Sequence, residues 1–175
     1  IAEEERREAE REFMEQLKIQ NEELQVQQEA LKKEEYLFNA LLDNANECIY
    51  FKDRESRFIR MSQSLVRLFG AKTMDELLGK TDFDFFDDEH AKPAFDDEQK
   101  IIKTGKPMQE KVEKEVHKDG SVTWAASTKM PLIDQDGKIV GTWGISKDVT
   151  ETKKMQDNIE STNAEKAVCE SVFYQ

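Results

Sequence analysis

Residues 117–150, "HKDGSVTWAASTKMPLIDQDGKIVGTWGISKDVT", decide the fold because they contain two hairpin turns, each between strand-like segments. The turns are Lys118-Asp119-Gly120 and Gln135-Asp136-Gly137. An Asp-Gly pair between strand-like segments is the strongest short-range hairpin signal. Together with the residues just before it, this stretch predicts a three-stranded antiparallel meander over 107–147.

The residues before the meander predict two more strands and a helical segment. In chain order the predicted elements are strands at 47–53 and 57–63, short helices at 64–70 and 73–79, and a longer helix in the second half of 82–105. Each helix ends at a glycine, and a capping box is expected at Thr73 and Glu76. The order predicts an α+β fold, with a five-stranded antiparallel sheet and helices on one of its faces.

Residues 1–42 contain neither Gly nor Pro and predict one long helix. Its heptad pattern places apolar residues at d (Leu17, Leu24, Leu31 and Phe38) and polar residues such as Asn21 and Gln28 at a. Polar a residues fix the register of a coiled coil at a cost in stability. We expect a parallel two-stranded coiled coil, with a single solvated helix as the alternative.

The overall composition limits the partners and the compartment. The net charge is −12, which disfavours binding to the phosphates of nucleic acid. No apolar run is long enough to insert into a membrane. Cys48 and Cys169 fit no disulfide or metal-ligand spacing, as expected in a reducing cytoplasm. The chain begins with Ile1, so we expect it to be part of a longer protein, which could be a membrane-anchored receptor.

Three segments in fixed order resemble a PAS domain over residues 43–150. They are "LLDNANECIYFKDRESRFIRMSQSLVRLFG", "ELLGKTDFDFFDDEHA" and the stretch at 117–150, in which Asp148-Val149-Thr150 is similar to the Asp-Ile-Thr that commonly closes these domains. One departure is Ser62, where many PAS domains have Asn. The resemblance implies a sensor module of bacterial-type histidine kinases, chemoreceptors or cyclases, with a pocket between sheet and helices.

The resemblance also implies three parts of the chain. Residues 1–42 would be a coiled-coil linker, 43–150 the sensor domain, and 151–175 a signalling helix that leads to an output domain or a further sensor domain. We expect a homodimer through the N-terminal helix and the outer face of the sheet.

Alternation along the strands separates a bulky face, with Trp124 and Trp143, from a face of smaller residues. We expect a helix or a dimer mate to cover the bulky face, and the smaller face to line a cavity. Similarity to flavin-binding PAS domains implies that Ala125, Ser127, Lys129 and Ser146 face the ligand. The full candidate set is Tyr50, Phe86, Phe95, Ile102, Ala125, Ser127, Lys129, Thr142 and Ser146. Hydroxyls with one Lys suit a small polar or anionic ligand, and simple core packing is the alternative.

Specific cofactors are disfavoured by the residues present. The flavin photoadduct of light-oxygen-voltage domains needs a Cys in the segment that here reads "TDFDFFDD", and Cys48 lies on the first strand instead. Haem-binding PAS domains use a His on the long helix, and only His90 lies near it. The acidic residues at 82–90 lack the glycine of a calcium loop. We expect a small organic ligand, or none, and no bound metal.

The residues after the last strand predict a helix that begins near Asp148, because Asp148 and Glu151 have capping-box spacing. We predict that Asp148, Thr150 and Glu151 form the junction through which the domain signals. The sequence shows no catalytic motif, so the predicted function is a non-catalytic sensor. A ligand-free dimerisation spacer is the alternative, and an enzyme or a haem-based gas sensor is less favoured.

Overall fold

A computed structural model describes residues 2–173, except for the side chains of residues 165 and 167–173 in the last helix, so the side chain of Cys169 lies outside the described residues. The helices are α1 (Ala2–Asn44), α2 (Gln63–Leu68), α3 (Asp88–Thr104) and α4 (Thr150–Phe173). The strands are β1 (Cys48–Asp53), β2 (Phe58–Met61), β3 (Met108–Val116), β4 (Val122–Ile133) and β5 (Ile139–Asp148). Single 3-10 turns lie at Met74–Glu76 and Asp82–Asp84. The predicted α+β fold is confirmed.

The five strands form one antiparallel sheet in the order β2-β1-β5-β4-β3. On β4 and β5, Ala125, Ser127 and Lys129 are each 3% exposed and Thr142 is fully buried. Val112 and Ile145, which point to the opposite face, are exposed. The inner face of the sheet is therefore the face of small and polar residues, as strand alternation predicted.

The apolar core lies between β1, β2 and the helical segment that follows them. Its buried residues are Tyr50, Phe58, Met61, Leu65, Val66 and Leu77. Phe69 and Phe85 extend it and stack with their ring centroids 4.0 Å apart. Because this core occupies the β1–β2 half of the sheet, most of the polar inner face of β3, β4 and β5 is left to border a cavity.

Side-chain caps fix the ends of the helical segment. The capping box predicted at Thr73 and Glu76 does not form, and that segment makes only a single 3-10 turn. A capping box forms instead at Thr81, whose backbone N–H donates to the Asp84 carboxylate at 2.8 Å. Asp87 caps α3 by accepting from two backbone N–H groups, and Gly105 ends α3 in the left-handed conformation with φ of 68°.

The chain divides into two compact units between Leu41 and Leu42. In the first unit the predicted seam residues are all exposed: Leu17, Asn21, Leu24, Gln28, Leu31 and Phe38. Among the described residues, no helix has both the length and the apolar character needed to cross a membrane.

Candidate functional site

A cavity of about 100 Å³ lies between the inner face of the sheet and the helical segment. Six of the nine predicted ligand-facing residues line it: Tyr50, Phe86, Ala125, Ser127, Lys129 and Ser146. Leu65, Leu68, Phe69 and Ala94 supply an apolar wall on the helical side. The cavity therefore has a polar floor on the sheet and an apolar roof.

Three predicted residues do not line the cavity. Phe95 and Ile102 were expected to face the sheet, but they border a shallow surface depression with Gln99. The residues that α3 buries include Ala94 and Ile101, each one position before a predicted residue, and a step of one residue rotates a helical side chain by about 100°. Thr142 lies on the predicted face but is fully buried outside the cavity, and its Oγ1 has no hydrogen-bond partner among the described residues.

A hydroxyl network covers the floor of the cavity. The Ser127 and Ser146 hydroxyls are 2.9 Å apart, and Ser146 is also a hydrogen-bond partner of Tyr50. Burial raises the pKa of the Tyr50 phenol, so this group stays protonated. The ring lies against Gly144, where a Cβ atom would come within 2.5 Å of the Tyr50 Oη. Glycine at 144 is thus a condition for this position of Tyr50.

Lys129 places a buried cation in the cavity wall. Its side chain is 4% exposed, and its Nζ lies 3.9 Å from Glu113 Oε2. Glu113 is closer to Lys111, at 3.1 Å. Within the described part of the chain, the Lys129 ammonium makes no hydrogen bond. A buried ammonium without hydrogen bonds is costly, so Lys129 is suited to donate to a bound molecule.

Glu113 and Glu115 also line the cavity, and the sequence analysis missed both. Glu115 accepts a hydrogen bond from Thr123 Oγ1 at 2.8 Å and forms no salt bridge among the described residues. Burial raises the pKa of its carboxyl group, against the effect of that hydrogen bond. The turn centred on Asp119 fixes this arrangement, because it pairs Glu113 with Ala125 and Glu115 with Thr123. Counting residues outward from that turn would have placed both carboxylates on the inner face.

A buried ion triad closes the cavity beside Tyr50. Lys52 Nζ lies 2.7 Å from both Asp82 Oδ2 and Glu98 Oε1. Burial alone would lower the pKa of Lys52, but the two carboxylates together raise it. Burial raises the pKa of Glu98, and Lys52 opposes that effect. Because the triad joins β1, the 3-10 turn at Asp82–Asp84 and α3, it ties the helical segment to the sheet.

The predicted signal junction contacts the cavity directly. Asp148, at the end of β5, lines the cavity, and its Oδ1 accepts from the backbone N–H of Thr150 at 2.8 Å. The hydrogen bonds from Thr150 lower the pKa of Asp148. Thr150 Oγ1 in turn accepts from the Trp124 backbone N–H at 2.9 Å. The expected capping box does not form, because α4 begins at Thr150 and Asp148 therefore lies one residue before the N-cap position. Glu151 pairs with Lys154 at 3.0 Å.

The cofactor candidates named from the sequence have other contacts. His90 lines the cavity from the first turn of α3, with its Nδ1 3.2 Å from the Lys114 carbonyl oxygen. His117 Nε2 lies 2.9 Å from Thr123 Oγ1. Cys48 also lines the cavity, but burial raises the pKa of its thiol to about 11, so little of the reactive thiolate form is present at neutral pH. Pockets for drug-sized ligands measure roughly 300–1,000 Å³, so this cavity suits a smaller molecule.

Two curated proteins match most of the chain. The methanogenesis regulatory histidine kinase FilI of Methanothrix harundinacea is 29% identical over 131 residues, which are 75% of this chain and 14% of FilI. A diguanylate cyclase of Vibrio cholerae is 23% identical over 124 residues, which are 70% of this chain and 38% of the cyclase. The chain thus spans about one-seventh of the kinase and two-fifths of the cyclase.

A solved structure and a family model also match this chain. The Vibrio cholerae VqmA–ligand–DNA complex superposes with a TM-score of 0.56 at 26% identity, covering 63% of this chain and 49% of VqmA. The family model described as "PAS fold" matches residues 42–154, which is more than half of the chain. The chain therefore belongs to the PAS family, and the resemblance read from the sequence is confirmed.

Proposed function

We propose that this chain is a non-catalytic sensor module that binds a small ligand in its cavity and passes the change to an output domain through α4. One observation carries the proposal. Asp148 lines the cavity and also holds the first turn of α4, so the ligand site and the exit helix share a residue. PAS-family membership and the ligand-bound state of VqmA, a structural relative, support a ligand in this position.

The proposed mechanism is a shift between two states of the junction. A ligand that contacts Lys129 or Ser146 changes the packing of β4 and β5 around Asp148. That change alters the bond between Asp148 and Thr150, and with it the angle at which α4 leaves the sheet. The ligand shifts the equilibrium only by the difference in its affinity for the two states.

The assembly is also a proposal. The exposed heptad seam of α1 and the exposed apolar residues of the outer face, such as Val112 and Ile145, favour a homodimer. The kinase and the cyclase, of which the chain matches only parts, favour a covalently linked output domain in a cytoplasmic signalling protein, and the kinase favours a two-component system. We propose no direct contact of this region with nucleic acid or membrane, since the chain carries a net charge of −12.

The test uses Asp148→Ala in the full-length protein. Ligand binding and dimerisation are expected to stay while output loses its response to ligand, because the bond to the Thr150 N–H is removed. Asp157→Ala is the matched control, since it removes an ion pair with Lys153 within α4 and lies outside the predicted junction. If the output of Asp148→Ala still responds to ligand as in the unaltered protein, Asp148 does not transmit the signal to α4.

The alternative function is a dimerisation spacer that binds no ligand, and the small cavity volume favours it. A thermal-shift screen of the 175-residue chain against a broad metabolite panel distinguishes the two. Stabilisation by a compound that Lys129→Met abolishes supports the sensor, and no shift with any compound supports the spacer.

A further inference from the structure

The charge of the cavity wall restricts the chemical class of the ligand, provided that the cavity is a ligand site as proposed above. Among the described residues, four carboxylates and two ammonium groups line it: Asp82, Glu113, Glu115, Asp148, Lys52 and Lys129. The Lys52 ammonium already has hydrogen bonds at 2.7 Å to both Asp82 and Glu98. Of the two, Lys129 is therefore the cation left to meet a ligand.

An anionic ligand at Lys129 would meet carboxylates on the same wall. Glu113 Oε2 lies 3.9 Å from the Lys129 Nζ, and Glu115 is two residues further along β3 on the same face. Water has little access to the part of the wall around Lys129 and Glu113, which are 3% and 8% exposed. Like charges at such short range in a poorly hydrated site repel strongly, so one lysine does not make this an anion site.

We infer that the cavity takes a small uncharged amide-type molecule. The carbonyl oxygen of an amide accepts a hydrogen bond from the Lys129 ammonium, and its N–H groups donate to the Glu113 and Glu115 carboxylates. Both carboxylates gain from this arrangement, above all Glu115, which forms no salt bridge among the described residues. The anionic ligand that the sequence alone allowed is thereby disfavoured.

The apolar roof and the volume define the rest of the molecule. Phe69, Phe86 and Leu68 contribute apolar surface to the cavity in addition to the charged wall, and the cavity measures about 100 Å³. This space fits a short aliphatic skeleton with a polar head at one end.

Three probes of one skeleton test the inference: isobutyrate, isobutyramide and isobutyramidinium, which differ in charge but hardly in shape. Each is titrated into the 175-residue chain at matched ionic strength, and NMR shifts of the Ala94 and Ala125 methyl groups report binding in the cavity. The amide is expected to bind at least about tenfold more tightly than the carboxylate, and more tightly than the amidinium, which has no lone pair to accept from Lys129.

Two variants assign the contacts. Glu115→Gln is expected to narrow the preference for the amide over the carboxylate, because it removes a negative charge, and Lys129→Met to weaken binding of the amide, because it removes the donor. Lys147→Met, which changes an exposed lysine on the outer face, is the control and leaves all three affinities unchanged. If Lys129→Met does not fold, the ranking of the three probes on the unaltered chain still decides the question.

The outcomes separate this inference from the proposed function. Binding of the carboxylate in the cavity as tightly as the amide overturns the inference about charge but leaves a ligand-binding sensor. Absence of methyl shifts with all three probes overturns both the inference and a cavity that takes ligands of this size.

Discussion

Replacement of Lys52 by Met tests whether the buried ion triad ties the helical segment to the sheet. The change keeps a similar length of side chain but leaves the Asp82 and Glu98 side chains, 12% and 1% exposed, without their shared cation. Loss of one partner from a buried ion pair costs about 3–5 kcal/mol because the remaining charge is uncompensated. For a domain of this size we expect Tm to fall by about 10–20 °C.

The assay is urea unfolding followed by tryptophan fluorescence, because Trp124 and Trp143 both lie in the sheet. Lys147→Met is the matched control, since Lys147 is exposed on the outer face, and we expect its stability to change by less than about 0.5 kcal/mol. Lys52→Met combined with Glu98→Gln is expected to recover part of the loss, because the second change removes the uncompensated charge.

The pH dependence of Lys52→Met gives a second, independent readout. Burial raises the pKa of Glu98 in the folded state above its unfolded value, so the contribution of this carboxyl to stability is complete at low pH and is lost as pH rises through the folded pKa. Without Lys52 this pKa rises further. The stability gap between the variant and the unaltered chain should therefore narrow from about pH 7 to about pH 5. If Lys52→Met lowers the free energy of unfolding by less than about 1 kcal/mol, or if the stability difference does not depend on pH, the triad does not hold the helical segment to the sheet.

Three further predictions concern the floor, the junction and the thiol. Gly144→Ala should destabilise the domain by about 1–3 kcal/mol in urea unfolding, since a Cβ atom would lie 2.5 Å from the Tyr50 Oη; an unchanged midpoint would contradict this position of Tyr50. Thr150→Val should speed hydrogen exchange at the Trp124 amide, whose acceptor it removes, and unchanged exchange would contradict that bond. With the other cysteine replaced, the folded Cys48 thiol, of pKa about 11, should react far more slowly with a disulfide reagent than in urea, and equal rates would disprove its burial.

Much of the fold followed from local sequence signals. The Asp-Gly turns placed the hairpins, and alternation of side-chain size on β4 and β5 separated the two faces of the sheet. These signals depend on residues close together in the sequence, so they can be interpreted without knowledge of the tertiary structure. The end of α3 at Gly105 is of the same kind, because a left-handed residue stops a helix regardless of what the helix packs against.

The missed parts of the site depend on contacts between distant residues. Lys52, Asp82 and Glu98 lie on three different elements, and nothing in their spacing shows that they meet. The error on Phe95 and Ile102 has another cause. Large apolar residues are expected on the buried side of a helix. In α3 the buried side instead carries Ala94 and Ile101, together with Glu98, whose carboxylate belongs to the triad.

Edge strand β3 shows why the cavity and the outer face have to be considered together. Val112 points outward and is 51% exposed, whereas Glu113 points inward and is 8% exposed. A slip of one residue would reverse both and bury Val112, yet the turn centred on Asp119 holds the observed register. Burial of carboxylates without full compensation is a local conflict of the kind that folded proteins keep at functional sites. One register thus creates both the exposed apolar surface proposed for the dimer and the acidic wall proposed for the ligand.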